Sequence, residues 1–259
     1  MMGDVEAATR GPSTLDPVEA YAAAAERFAI AVAWSDLRAQ VGSCPGWSVL
    51  DLVVHLGNVH AWAATVVETG AKAHQQDDRP RSTKGRAVSS WYAGKAEDLY
   101  EVLRQVPADR PTWNFAVGDG VAAFWSRRQL HETTVHHVDL DASSSRATEL
   151  DPEVCVDGVD EALTAMLPRM HRRHPVELTR PLALVATDTG DTWVVAPQGA
   201  APPSVQHRRT PGTAVPDRVE APADALYRLL WHRSTAPAEP SIVGDEDRVR
   251  AFLGSRLTP

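Results

Sequence analysis

Cysteine is scarce in this chain. The 259 residues include only two cysteines, Cys44 and Cys155, and they do not form a CxxC pair. A disulfide framework or a thiolate metal site needs closely patterned cysteines. We therefore expect a protein of the reducing cytoplasm without structural disulfides.

Basic residues are also fewer than acidic ones. The formal net charge is −8 at pH 7 and the sequence pI is about 5.7. Nucleic acids and acidic membranes bind basic surfaces, so the composition argues against both as partners. The glycines are scattered and form no phosphate-binding loop. A small-molecule partner is favoured.

Signals for membrane insertion and secretion are absent from the sequence. No run of about eighteen consecutive apolar residues occurs, which is the length that a membrane span needs. The first residues contain no apolar core of a signal peptide. We expect a soluble cytoplasmic protein, either a monomer or a homodimer.

The first part of the chain is patterned as helices. Ser48, followed three residues later by Asp51, resembles a capping box at the start of the second of them. Apolar residues at helical spacing predict helices over 15–41, 48–70, 89–106, 121–140 and 151–170.

The last part of the chain has a different pattern. Two short apolar runs around a Gly/Asp turn predict a hairpin over 182–196. A Pro- and Arg-rich loop is expected over 197–217, with short helices near 222–232 and 245–253. The fold class predicted is mainly α with a small α+β domain. Its segments are a flexible N-terminus (1–14), a helical bundle (15–170) and a C-terminal α+β domain (176–259).

Three polar side chains stand where a helical bundle normally buries hydrocarbon. His55 falls on the apolar stripe of the second predicted helix, and Glu132 and His136 lie one turn apart on the fourth. A buried carboxylate and imidazole cost several kcal/mol unless they are paired or bind a cation. A His, Glu, His set with an open fourth position is typical of a catalytic zinc site. The sequence therefore predicts a metal ion or a hydrogen-bonded network inside the bundle.

Simpler interpretations of these residues remain open at this point. A pair such as Glu132 and His136 is often an exposed ion pair. A lone inward histidine such as His55 is often a hydrogen-bonded core residue.

Other polar residues lie near the three. His131 and His137 lie roughly 100 degrees off the line through Glu132, so we interpret them as surface groups or as support for a ligand. His60 falls off the inner line and is left out of the site. Asp139 either orients a ligand imidazole or faces solvent.

Two runs of residues carry a resemblance to a known family. CPGWSVLDLVVHL at 44–56 and RRQLHETTVHHVD at 127–139 are similar to sequences of the mycothiol-dependent maleylpyruvate isomerase family. The resemblance covers about 15–165 well and the tail loosely. It implies a DinB-like four-helix bundle that carries a divalent metal, followed by a smaller C-terminal α/β module.

The resemblance also implies roles for individual residues. The family's metal ligands correspond to His55, Glu132 and His136 in this sequence. Zinc is the metal we expect first, although such sites also take nickel, cobalt, iron or manganese. The segments 229–233 and 243–245 are similar to the family's C-terminal part, where an arginine serves the substrate carboxylate. Arg233 is the corresponding catalytic candidate, although His232 stands where the family usually has a small residue.

The activity implied is that of a mycothiol-dependent metalloenzyme. The metal would hold a low-molecular-weight thiol as thiolate, which attacks a small electrophile in cis–trans isomerisation or in S-transfer. Trp113, Asn114 and Phe115 either line the entrance or cover the end of the bundle, and Cys44 is interpreted as structural. The alternatives are a non-catalytic zinc-binding regulatory or ligand-binding protein and a bundle whose polar network is purely structural.

Overall fold

The computed structural model describes residues 15–116, 120–209, 213–233 and 238–259. The predicted flexible N-terminus, 1–14, lies outside these residues. The chain divides into two compact units, Leu15–Glu149 and a second unit that comprises Leu150–Pro259.

The first unit is a four-helix bundle. Helix α1 packs against α3 and α4, and α2 packs against the same two helices. Fully buried aromatic and leucine side chains, including Phe28, Leu56 and Trp125, fill the core. The predicted bundle is confirmed. Its helices are α1 (Pro17–Ala33), α2 (Val49–Thr69), α3 (Gly85–Gln105) and α4 (Ala123–Ala142).

Two helix boundaries differ from the prediction. Helix α1 ends at Ala33, before a turn in which the Asp36 carboxylate accepts the Arg38 N–H at 3.0 Å. This local hydrogen bond competes with continuation of the helix. Helix α3 begins at Gly85, four residues before the predicted start at Ser89, whose hydroxyl donates to the Ala29 carbonyl at 2.7 Å.

Helix α2 has the ends that the sequence predicts. The Ser48 hydroxyl accepts the Asp51 N–H at 3.3 Å, and the Asp51 carboxylate accepts the Ser48 N–H at 3.1 Å. Gly70 ends the helix in the left-handed conformation. The helix is long and apolar enough to cross a membrane, but 67% of its most apolar stretch is buried inside the protein. Such burial is typical of the core helix of a globular bundle.

Replacing Ser48 by alanine should lower the free energy of unfolding by about 1 kcal/mol, because it removes the side chain that caps α2. Chemical denaturation of the purified protein measures the effect. Ser90→Ala, an exposed change inside α3, is the matched control and should leave the midpoint nearly unchanged. Equal midpoints for Ser48→Ala and the parent protein would contradict the capping role.

The second unit contains a five-stranded mixed sheet. Strand order is β3-β2-β1-β4-β5; β1 and β4 are parallel, and the other neighbouring pairs are antiparallel. The sheet's strands are β1 (Leu182–Ala186), β2 (Asp191–Gln198), β3 (Ala201–Arg209), β4 (Asp217–Ala221) and β5 (Ser241–Val243). The helices are α5 (Pro152–Glu161), which continues through a π-helical turn (Ala162–Met166) into α6 (Leu167–His171), then α7 (Ala223–Leu230) and α8 (Glu246–Leu253). A helical bundle followed by an α/β module is therefore confirmed as the fold class.

Strand β3 occupies part of the segment predicted as a Pro- and Arg-rich loop, so that prediction was wrong. The strand lies at the edge of the sheet, and Pro202 and Pro203 fall where its pairing with β2 shifts register, between Ala196 and Gln198; both positions tolerate proline. Gly199, with φ of 64°, lies in the turn that joins β2 to β3.

The division between the units also differs from the predicted boundary at 170–176. Helix α5 belongs to the second unit, because it packs against α7 and because Asp160 on it accepts a hydrogen bond from the Trp193 indole at 3.3 Å. The periodicity of the α5 sequence predicts a helix, but it does not show which core the helix packs against.

Candidate metal centre

The bundle brings together the three residues that the sequence singles out. His55 comes from α2, and Glu132 and His136 lie one turn apart on α4. Oε1 of Glu132 lies 3.4 Å from Nε2 of His55 and 3.4 Å from Nε2 of His136. The three ligand atoms all lie within 4.8 Å of one another.

These spacings suit a bound divalent metal. Two ligands that each lie about 2.1 Å from a tetrahedral ion are about 3.4 Å apart. A distance of 3.4 Å is long for a hydrogen bond between nitrogen and oxygen, whose usual range ends near 3.2 Å. The donor set, two imidazoles and one carboxylate, is one that zinc and neighbouring metals bind.

Glu132 and His136 each bind a further side chain through the atom that faces away from the candidate site. Arg128, with a side chain only 5% exposed, donates to Oε2 of Glu132 at 2.7 Å. Nδ1 of His136 lies 2.9 Å from Oδ2 of Asp139, which is 1% exposed. Because a carboxylate only accepts, Nδ1 carries the proton and Nε2 is the atom presented towards Glu132. The site is therefore oriented before any ion binds.

The electrostatics of the centre favour an anionic Glu132. Burial acts to raise its pKa, but the charge of Arg128 and the contacts with the imidazoles of His136 and His55 outweigh burial and hold the pKa well below its usual range. For His136, burial acts to lower the pKa, whereas the hydrogen bond to Asp139 and the contact with Glu132 raise it to about 9. Metal binding at His136 therefore replaces a proton.

A second group of possible ligands shares His136. Cys44, in the turn before α2, lies with Sγ 3.9 Å from Oδ2 of Asp139, and the Ser43 hydroxyl donates to the other oxygen of this carboxylate. A metal held by Cys44, His136 and Asp139 would have to displace the bond between His136 and Asp139. We therefore favour the group that contains His55.

Asp139→Asn should weaken metal binding by roughly ten- to a hundredfold, because the group that fixes the His136 ring loses its charge. Competition titration with a chromophoric chelator measures the dissociation constant. Asp141→Asn, on the same helix but bonded to Arg146 and Thr148, should bind metal like the parent protein. Unchanged affinity in Asp139→Asn would show that the ring is held by its packing alone.

Two histidines lie deeper than the sequence predicted. His60 is completely buried, with Nδ1 donating to Gln129 at 2.7 Å and Nε2 accepting from Tyr92 at 3.1 Å. Burial lowers its pKa to about 4, so it is neutral. His131 is also fully buried rather than at the surface, whereas His137 lies 3.6 Å from Asp141 and is 13% exposed. The partner of His60 is Gln129, a polar residue on the inner line of α4. Its position is the sequence signal that could have indicated this buried pair.

The aromatic loop packs on the bundle. The Trp113 carbonyl accepts from the Trp125 indole at 2.8 Å, and its ring lies against Trp62 and Trp125. Phe115 packs on Phe124 and Trp125. These contacts favour the interpretation that Trp113 and Phe115 cover the core. The Asn114 side chain accepts the Ala116 N–H and so shapes the loop.

The predicted carboxylate-binding arginine lies in the second unit. Arg233 follows α7, and its guanidinium donates to the Trp231 carbonyl at 2.6 Å. His232, which precedes it, has φ of 54°, a value that few residues other than glycine adopt. The role of Arg233 remains a prediction.

An open groove of about 600 Å³ adjoins His55, one of the candidate metal ligands. Trp47 lies against the His55 imidazole, with ring centroids 4.8 Å apart. The groove runs between the face of α2 that carries Asp51 and the loop at 75–79.

Comparison with known proteins gives consistent results. The family model described as the mycothiol maleylpyruvate isomerase N-terminal domain matches residues 18–141. The fold is similar to two crystal structures of mycothiol-dependent maleylpyruvate isomerase, one of them a histidine-to-alanine mutant, with TM-scores of 0.56 and 0.55. Each is 12% identical and the alignment covers 87% of this chain and 91% of the other. A search of curated proteins gave no match.

Proposed function

We propose that this chain is a mycothiol-dependent enzyme that acts on a small electrophile, because its residues 18–141 match the family model described as the mycothiol maleylpyruvate isomerase N-terminal domain. The family and the two structural neighbours indicate an isomerase of maleylpyruvate type. The observation that carries the proposal is the convergence of His55, Glu132 and His136 on one point of the bundle.

The three residues supply the ligands for a divalent metal, with zinc as the first expectation. Three protein ligands leave a position for an exogenous group, as in catalytic zinc sites. A bound divalent ion lowers the pKa of a coordinated thiol, so that mycothiol is held as its thiolate near neutral pH. Arg128 and Asp139 keep Glu132 and His136 oriented for this task.

The thiolate can react in two ways. In isomerisation its sulfur adds to one carbon of a cis alkene, the remaining single bond rotates, and loss of the same thiolate regenerates the alkene as the trans form. In S-transfer the sulfur displaces a leaving group and stays on the product. We propose isomerisation as the main activity, with Arg233 as the group that binds a substrate carboxylate. Two cysteines and no disulfide framework fit a cytoplasmic enzyme that uses a free thiol.

An assay of maleylpyruvate isomerisation tests the proposal. The zinc-loaded protein should isomerise the substrate only when mycothiol is present, and the chelator-treated protein should be inactive until zinc is restored. Protein that binds zinc but shows no thiol-dependent turnover of maleylpyruvate or of model S-transfer electrophiles would overturn the enzymatic proposal. That result would favour a zinc-binding regulatory protein on the same fold.

A further inference from the structure

We infer that the groove beside His55 binds the hydroxyl-rich body of the thiol cosubstrate, an inference that rests on the proposed function. Mycothiol carries its cysteine thiol on an amino sugar linked to inositol, so most of its surface consists of hydroxyl groups. The groove belongs entirely to the first unit. The side chains that matter are those of Trp47, Asp51, Gln75, Gln76, Asp77 and Arg79.

The chemistry of the lining fits a neutral polyol. Side-chain amides such as Gln75 and Gln76 both donate and accept, carboxylates accept, and a guanidinium donates. A hydroxyl group both donates and accepts hydrogen bonds, so it can bind each of these three kinds of side chain. Trp47 offers an apolar ring face for the C–H side of a sugar, a common arrangement of one apolar wall with several polar groups in ligand sites.

The charged side chains of the groove are accessible to a ligand. The side chains of Asp51, Asp77 and Arg79 are 42%, 79% and 60% exposed. Arg79 lies 4.0 Å from the Asp51 carboxylate and 3.7 Å from that of Asp77, so both pairs are longer than hydrogen bonds. A ligand hydroxyl that binds any of these side chains therefore does not have to break a hydrogen bond between them.

The charge balance of the groove favours the thiol over the electrophile. Two carboxylates, Asp51 and Asp77, stand against one guanidinium, Arg79. A dicarboxylate such as maleylpyruvate would be repelled by this lining, whereas a neutral polyol would not.

The position of the groove connects it to the metal centre. His55 lines the groove and also presents Nε2 to Glu132. A ligand whose sugar part lies on Trp47 therefore has its attached cysteine arm next to a metal ligand. This arrangement would favour mycothiol over smaller thiols, because the groove contacts the sugar and inositol parts that smaller thiols lack.

The test compares the zinc-loaded parent protein with the double variant Gln76→Ala/Arg79→Ala. Calorimetry with S-methyl mycothiol, which cannot form a thiolate, reports on the body of the thiol alone. The double variant should bind it about tenfold more weakly, since two or more hydrogen-bonding groups are lost. His74→Ala, an exposed change in the same loop that does not line the groove, is the matched control and should bind like the parent.

A second measurement separates the groove from the metal centre. With N-acetylcysteine, which has no sugar, turnover by the double variant should equal that of the parent. Equal binding of S-methyl mycothiol by parent and double variant would overturn the inference, as would an equal loss with both thiols. A parent protein that uses neither thiol would overturn the proposed function itself, so the two failures are distinguishable.

Discussion

Substituting alanine for His136 should remove the metal and with it the thiol-dependent activity. In the proposed site His136 supplies one of the three ligand atoms, and its side chain is only 10% exposed, so water does not readily take its place. We expect metal content to fall from about one ion per chain to less than about one tenth, and turnover to fall at least about a hundredfold. Elemental mass spectrometry on protein prepared without a histidine tag measures the first quantity.

A neighbouring histidine provides the control for this prediction. His137→Ala changes the same residue type on the same helix, but its imidazole is directed to Asp141 and not to Glu132. This variant should retain the metal. Loss of metal from both variants would indicate that α4 had been disturbed as a whole, and retention by both would contradict the assigned ligand set.

The second large effect is expected at Asp217 in the second unit. This carboxylate, 0% exposed, accepts from Arg180 at 2.6 and 2.9 Å, from Arg248 at 2.8 Å and from the Asp245 N–H at 2.9 Å. Gly244, with φ of 94°, passes so close to Asp217 that a Cβ would collide with it. One side chain therefore connects the start of β4 with the segment before β1 and the start of α8.

Asp217→Ala should lower the melting temperature of the second unit by about 10 °C, because two guanidinium groups and a backbone N–H lose their shared acceptor. Glu246→Ala, which removes a 61% exposed partner of Arg250, should change it little. Differential scanning calorimetry compares the two variants. Equal melting temperatures for Asp217→Ala and the parent would contradict the role of this network.

The same network predicts a pH dependence. The hydrogen bonds from Arg180 and from the Asp245 N–H hold the pKa of Asp217 well below its usual range. A carboxyl group whose pKa is lowered on folding stabilises the protein above its unfolded pKa, near 4. This contribution is lost as the pH falls below that value. Asp217→Ala should therefore flatten the acid side of the stability profile.

The residues of the candidate metal centre could be predicted from the sequence, because helical periodicity depends only on the spacing of residues that are close together in the chain. His55 on an apolar stripe and Glu132 one turn before His136 required only the spacing of 3.6 residues per turn, and the structure brings the three together. The resemblance of the two runs at 44–56 and 127–139 to the isomerase family then supplied the chemistry, and the model of that family's N-terminal domain matches residues 18–141.

The same periodicity failed for His60 and His131. It assigns one inner line to each helix, but α2 and α4 contact two neighbours each and bury side chains on several faces. A histidine off the main line therefore lies in the core. Periodicity also cannot show that α5 joins the sheet, because that depends on contacts with α7 far along the chain. Strand β3 was missed because prolines are compatible with an edge strand, a position that only the assembled sheet defines.

X-ray absorption at the zinc edge tests the central claim, that the metal at His55, Glu132 and His136 binds the sulfur of the cosubstrate. The zinc-loaded protein alone should show only nitrogen and oxygen neighbours, and addition of mycothiol should introduce one sulfur at about 2.3 Å. Sulfur in the spectrum before mycothiol is added would place the metal at Cys44 instead. A spectrum without sulfur after the addition would contradict activation of the thiol by the metal.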